Sequence, residues 1–156
     1  MKTKAWYLLL LPALMISTGC KKNNSTKKTN TELLTQSIWK YDHAGLDLDN
    51  NGTIDSQVPA GMLQSCDTDG TISFNSGGTG VLDEGPTKCN AANPQSVPFT
   101  WSFKNNESII NLSNAVFGGL TGDIKMLSLT DSQLTLEKDV TYGIGVTVNV
   151  IVVLKH

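Results

Sequence analysis

The 156-residue chain has no arginine, two histidines and three cysteines, and aromatic residues make up 6% of it. Without arginine there is no planar fork to clamp a phosphate or carboxylate in two places. The histidines are His43 and His156, so no second imidazole stands near His43 in sequence. The patterns GxSxG and HExxH and the glycine-rich phosphate loops are also absent, which removes the common hydrolase, metalloprotease and nucleotide-binding readings. His43 with Asp42 and the Asp47 loop is the one grouping with hydrolytic chemistry in it. A half-exposed histidine at a strand end is the commoner meaning of such a pattern, so the chain is expected not to be an enzyme.

Long apolar stretches are confined to the two ends. At the start, Lys2 and Lys4 precede an apolar segment, Trp6 to Ile16, that Pro12 interrupts, and Ser17-Thr18-Gly19 lead into Cys20. The segment is too short to span a bilayer and sits where a secretory signal sits. A small residue directly before a lone cysteine is what a lipoprotein signal peptidase requires. Residues 1–19 are therefore expected to be a lipoprotein signal and Cys20 the acylated N-terminus of the mature chain. Ser17 stands where a larger aliphatic residue is usual. The alternative is an ordinary signal peptide, with Cys20 buried or disulfide-bonded. Residues 20–31 comprise the anchor cysteine and the run KKNNSTKKTNT, which has no apolar side chain and reads as a flexible tether.

Residues 32–156 form one domain of ordinary size. They hold six lysines and fourteen acidic residues, a net charge of −8 against −2 for the whole chain. An acidic domain with no basic stripe argues against a nucleic-acid partner.

The clearest element is Ile144 to Lys155. Its even positions Ile144, Val146, Val148, Val150, Val152 and Leu154 are all aliphatic, and a period of two is that of a strand. Further alternating stretches predict strands at Trp39–Ala44, Thr71–Asn75, Thr79–Asp83, Phe99–Lys104, Ser108–Leu112, Gly122–Leu129 and Gln133–Lys138. Ser76-Gly77-Gly78 closes a hairpin. Glu32–Ser37 reads as a short helical turn, stable only when docked, that plugs one end of the sheet. Eight antiparallel elements, mostly neighbours in sequence, predict an all-β, eight-stranded up-and-down barrel with a short N-terminal helix. Closing the last strand on the first removes both edges. A two-sheet sandwich is the runner-up.

Two long connections, Leu46 to Asp69 and Glu84 to Pro98, interrupt this pattern. Leu46 to Asp69 contains Asp47, Asp49, Asn51, Thr53 and Asp55 at positions one, three, five, seven and nine of a calcium-type loop, with Gly52 at six. Position twelve is Val58, so the bidentate glutamate of an EF-hand is missing. Calcium held by oxygen ligands and a loop closed by Asx-turns without any ion both fit this composition. Cys66 and Cys89 lie just outside opposite ends of the predicted hairpin. In an exported chain they are expected to form a disulfide, contributing about 3 kcal/mol on the chain-entropy account.

Phe99, Trp101 and Phe103 share one strand face. With Trp39, Tyr41 and Phe74 they are read either as packed core or as the wall of a cavity for a small apolar ligand.

The order of the lipoprotein signal, the Lys/Asn/Thr tether, LLTQSIWKYDHAG, DLDNNGTID, TISFNSGGTGVLDEG, FTWSFKNNESIINL and LTLEKD resembles the lipocalin-like lipoproteins widespread in Bacteroidetes. The likeness runs over roughly residues 33–156, although no glycine stands two before Trp39 as in the G-x-W signature of true lipocalins. The resemblance implies a lipocalin-type barrel on a lipid anchor, of a kind whose function is usually unassigned. The expectation is thus a cell-envelope lipoprotein, at the outer membrane of a Gram-negative bacterium, that binds a small apolar or amphipathic ligand in its barrel. The alternative is a structural or protein-interaction module, with calcium as the one cofactor to consider.

Overall fold

The computed structural model describes residues 27–117, 119–142 and 145–156. Cys20 and the signal segment lie outside these residues. Among the described residues one short α-helix, α1 (Asn30–Thr35), precedes nine strands: β1 (Trp39–Asp47), β2 (Ser56–Gln57), β3 (Thr71–Asn75), β4 (Thr79–Asp83), β5 (Ser96–Lys104), β6 (Ile109–Val116), β7 (Leu120–Leu129), β8 (Gln133–Tyr142) and β9 (Val146–Lys155). Every strand pairs antiparallel with its neighbour in the order β1-β3-β4-β5-β6-β7-β8-β9, and β9 returns to β1. The architecture is a closed eight-stranded barrel with the two-residue β2 added beside β1.

Closure is carried by seven β1–β9 pairs, from Lys40↔Lys155 to Asp47↔Asn149. The even face of β9 turns inward, as its period demands: Val148, Val150, Val152 and Leu154 join the core. Val146 does not, being 57% exposed at the strand's start, whereas the odd-numbered Ile151 and Val153 are buried on the outer side. Ile151 pairs with Gly45 of β1, and a side chain at Gly45 would collide with Ile54. The acidic loop therefore folds back over this part of the outer wall.

Aromatic residues pack together in the interior. Phe74 meets Phe99 and Trp101 edge-on, with ring centroids 5.5 and 5.7 Å apart, and Trp101 meets Phe103 in the same way at 5.3 Å. Such contacts suit the ring quadrupoles and leave little free space. Gly80, the cross-strand partner of Phe99, is where the ring lies, since a Cβ there would come within 2.1 Å of it. Trp101 also donates its indole N–H to Asn75 and Thr79 carbonyls at 3.2 and 3.0 Å, tying the barrel wall to the β3–β4 turn.

Helix α1 plugs the end of the barrel at which β1 begins. Thr29 caps it, accepting from Glu32 N–H while the Glu32 carboxylate accepts from Thr29 N–H at 2.7 Å, a reciprocal capping box. The folded unit thus begins slightly earlier than the expected boundary at Glu32, inside the stretch read as tether. Leu33 and Leu34 are buried, and the indole of the fully buried Trp39 donates to the Leu34 carbonyl at 2.8 Å.

Other differences lie at strand ends. The stretch between the expected strands Ser108–Leu112 and Gly122–Leu129 is the end of β6, a turn at Phe117 and the start of β7. Val116, Phe117 and Leu120 are all buried there. The β6 ladder shifts register between Leu112 and Val116. Beside that shift, Ser113 Oγ accepts from Thr100 N–H at 2.8 Å and Asn114 Nδ2 donates to the Pro98 carbonyl at 2.7 Å. Side-chain substitutes for ladder bonds of this kind carry no period, which is why the sequence reads as loop.

Candidate functional site

The turns β3–β4, β5–β6 and β7–β8 sit at the end plugged by α1. The long connections sit at the other end, and they build the candidate site. β1 leaves β3 after two pairs, Trp39↔Ile72 and Lys40↔Thr71, and meets β2 at Gly45 and Leu46. No ladder pair joins Tyr41–Ala44 to a strand on that side. The chain from Gln57 to Thr68 runs over this opening as a strap, held at one end by β2 and at the other by the Cys66–Cys89 disulfide, whose Cα atoms are 5.2 Å apart.

Between β1 and the strap lies a groove of about 630 Å³. Ala44, Val58, Pro59 and Leu63 give it apolar surface, and Tyr41, Gln64 and Thr68 offer polar groups. Tyr41 pairs with Leu154 on the inward face, so the groove reaches side chains belonging to the interior. Burial pushes the Tyr41 phenol up from its ordinary value. Asp42 at the rim is bound by the Lys155 ammonium and, at 3.0 Å, by His43 Nδ1; the Lys155 bond and then the His43 bond hold its carboxyl below the usual aspartate range.

Under the strap, inside the barrel, is a second space of about 50 Å³. Val58, Met62 and Leu63 face Phe117, Leu120, Val140, Val150 and Val152 across it. The side chains that line it are all apolar. Of the residues expected to line a ligand cavity, Trp39, Phe74, Phe99 and Trp101 are buried core, and Tyr41 and Phe103 are partly buried against it. Tyr41 alone of these six borders the groove.

The acidic loop lies on the outer wall. Carboxylate oxygens of Asp47, Asp49 and Asp55 all lie within 4.8 Å of one another. Asp47, the last residue of β1, is 2% exposed. Burial opposes its ionisation, but the N–H groups of Gly52, Asn51 and Asn50 outweigh that and hold its carboxyl below the ordinary range. Gly52 N–H donates to it at 2.7 Å. Asp49 accepts from Asn51 N–H at 3.2 Å and Asn51 Oδ1 from Thr53 N–H at 2.8 Å, both Asx-turns. Leu48 N–H donates to Asp55 at 2.8 Å. The calcium-type spacing has thus converged three carboxylates, and the turns that close the loop without an ion are formed as well. Asn51 directs its amide N–H to Asp49 at 3.0 Å and its oxygen to Thr53, so it serves the turns rather than the carboxylate cluster.

Two residues that sequence reasoning missed tie this loop to the wall. Asn149, the cross-strand partner of Asp47, donates to Asn50 Oδ1 at 3.1 Å and to Glu137 Oε1 at 2.6 Å. Glu137 is 7% exposed, and its second oxygen lies 2.7 Å from Lys125 Nζ. On the outer face of a barrel both residues read as solvated, and no local signal distinguishes them. No protein-family model and no curated protein matches this chain in sequence, so the site is defined by its own geometry.

Proposed function

We propose that this chain is a non-catalytic binding protein of the bacterial cell envelope, anchored at the outer membrane of a Gram-negative cell through acyl chains on Cys20, and that it takes a small amphipathic ligand at the strap. The observation that supports this reading is the groove between β1 and the strap. Its volume of about 630 Å³ falls within the range of small-molecule sites, roughly 300–1,000 Å³, and its lining mixes apolar surface with a few polar groups. The interior space of about 50 Å³ falls far below that range, so the ligand sits against the side of the barrel rather than along its axis. The pairing of His43 with Asp42, itself occupied by Lys155, supports a surface ion cluster rather than a catalytic dyad.

Native mass spectrometry of the chain carrying Cys20→Ala, purified from its host, tests the reading. The expected result is an adduct of a few hundred daltons that is lost on denaturation and is absent from Ala60→Trp, which fills the groove. An adduct-free mass that stays unchanged when uncharged amphiphiles are added would refute it.

The convergence of Asp47, Asp49 and Asp55 favours a second reading, a structural or protein-interaction module stiffened by calcium. That reading requires a calcium-dependent mass increment and a higher Tm in calcium, both lost in Asp49→Asn.

A further inference from the structure

We propose that the groove and the interior space are two halves of one site, that Val58 and Leu63 form the partition between them, and that the ligand is an uncharged amphiphile with a single narrow apolar tail. This rests on the groove being the ligand site.

Val58 and Leu63 border both spaces. On their outer side stand Tyr41, Gln64 and Thr68, which have hydrogen-bonding groups for a head. On their inner side stand Val140, Val150 and Val152, which have none. Polar groups on one side of two aliphatic side chains and only apolar ones on the other match a molecule with a head and a tail.

The partition is built to move. From Val58 to Leu63 the strap belongs to no strand, and no ladder pair joins it to the wall. Within its turn, Met62 N–H donates to the Pro59 carbonyl at 3.1 Å. Gly61 sits at φ +86°, with nothing within 4 Å of where its Cβ would be. The two β2 pairs and the disulfide hold the strap at its two ends. Swinging Val58 and Leu63 outward therefore leaves the ladders intact. The space behind them is about 50 Å³ and is bounded by Leu120, Val140, Val150 and Val152, which suits a single narrow apolar chain.

The charge of the head follows from the rim. Asp42 is the carboxylate of the groove, and Lys155 and His43 already bind it. An anionic head meets a domain of net charge −8 with no arginine. A cationic head must displace Lys155 from Asp42. An uncharged head uses the hydrogen-bonding groups as they stand.

Methyl ¹³C NMR of the chain carrying Cys20→Ala, titrated with butyl, hexyl and octyl glucoside below their micelle concentrations, tests the proposal. The expected result is that the methyls of Ala60 and Ile54 shift with all three probes, and those of Val150, Val152 and Leu120 with the longer two. Affinity should tighten about fourfold per methylene, equivalent to about 0.8 kcal/mol, and octanoate should bind at least tenfold more weakly than octyl glucoside. Shifts confined to the groove methyls, with affinity flat in tail length, would overturn the two-part site and leave the groove reading standing. No shift at either set would overturn both. In Leu63→Trp the interior shifts should disappear while the groove shifts remain. If that variant does not fold, the wild-type pattern decides the matter alone.

Discussion

Asp47 shows how a charged side chain is kept ionised while almost out of water. Its position at the end of β1 buries it against the outer wall, and three consecutive backbone N–H groups of its own loop turn towards it. Hydrogen bonds to the ionised form lower a carboxyl's pKa, and burial alone would raise it. Because the folded-state value lies below the unfolded one, the carboxylate stabilises the fold at any pH above the unfolded value, about 3.9. That contribution is lost as the pH falls through the depressed folded value. Asp42, Asp83 and Asp123 are shifted in the same direction, so Tm is expected to fall steeply with acidification below about pH 4. Asp47→Asn should lower Tm at neutral pH and flatten that acid slope, as followed by circular dichroism against pH. An unchanged slope would mean the loop's N–H groups contribute nothing to the ionised form. Asp47, Asp49 and Asp55 were legible as a group because their spacing is local. Glu137 and Asn149 were not, because their burial depends on the loop that folds over them.

At the scale of elements, the strap depends on the Cys66–Cys89 bond. The bond joins the β1–β3 connection to the β4–β5 connection across a sequence separation of 23 residues. Breaking it frees one end of the strap and restores loop entropy to the unfolded chain. Cys66→Ser with Cys89→Ser should cost about 3 kcal/mol, on the order of ten degrees in Tm. Differential scanning calorimetry measures the loss, and hydrogen exchange should show it concentrated at residues 57–70 and not in β8 or β9. A uniform loss of protection would show that the bond supports the whole barrel and not the strap. The hairpin of β3 and β4 was read at its observed bounds, since Gly77-Gly78 marks the turn and both strands alternate on either side. The strap was not legible, because Val58 to Leu63 has neither period and its conformation comes from the wall beneath it.

For the whole molecule, the decisive fact is that the two ends of the barrel differ. Lys28 reaches Asp131 in the β7–β8 turn at 2.5 Å, so the described chain begins at the end plugged by α1. The groove and the long connections lie towards the opposite end. With Cys20 acylated, the residues between it and Lys27 span at most about 25 Å, at up to about 3.6 Å each. The plugged end should then face the headgroups and the strap should face away from them. With a gadolinium-bearing lipid in nanodiscs, relaxation enhancement in the acylated chain should be strongest at Asn105 and Asp131 and weakest at Asn93 and Val146. The reverse gradient would overturn this orientation, and Cys20→Ala should show no gradient at all.

The sequence alone determined that the chain is all-β, that its strands pair with their neighbours, and that the last strand presents its even-numbered face inward. Each of these follows from a period of two and from turn chemistry, which act within a few residues. Ring closure through β9 and β1 was inferred from the cost of leaving two edges open, and seven pairs realise it. Only the tertiary structure decided that aromatic rings pack together inside the barrel and that β1 parts from β3 after two pairs. It also decided that the strap crosses the resulting gap, with a groove on its outer side and a small apolar space beneath. These outcomes depend on how side chains from distant strands share volume and on how far each strand slides along the next, and neither quantity is carried by any local stretch of residues.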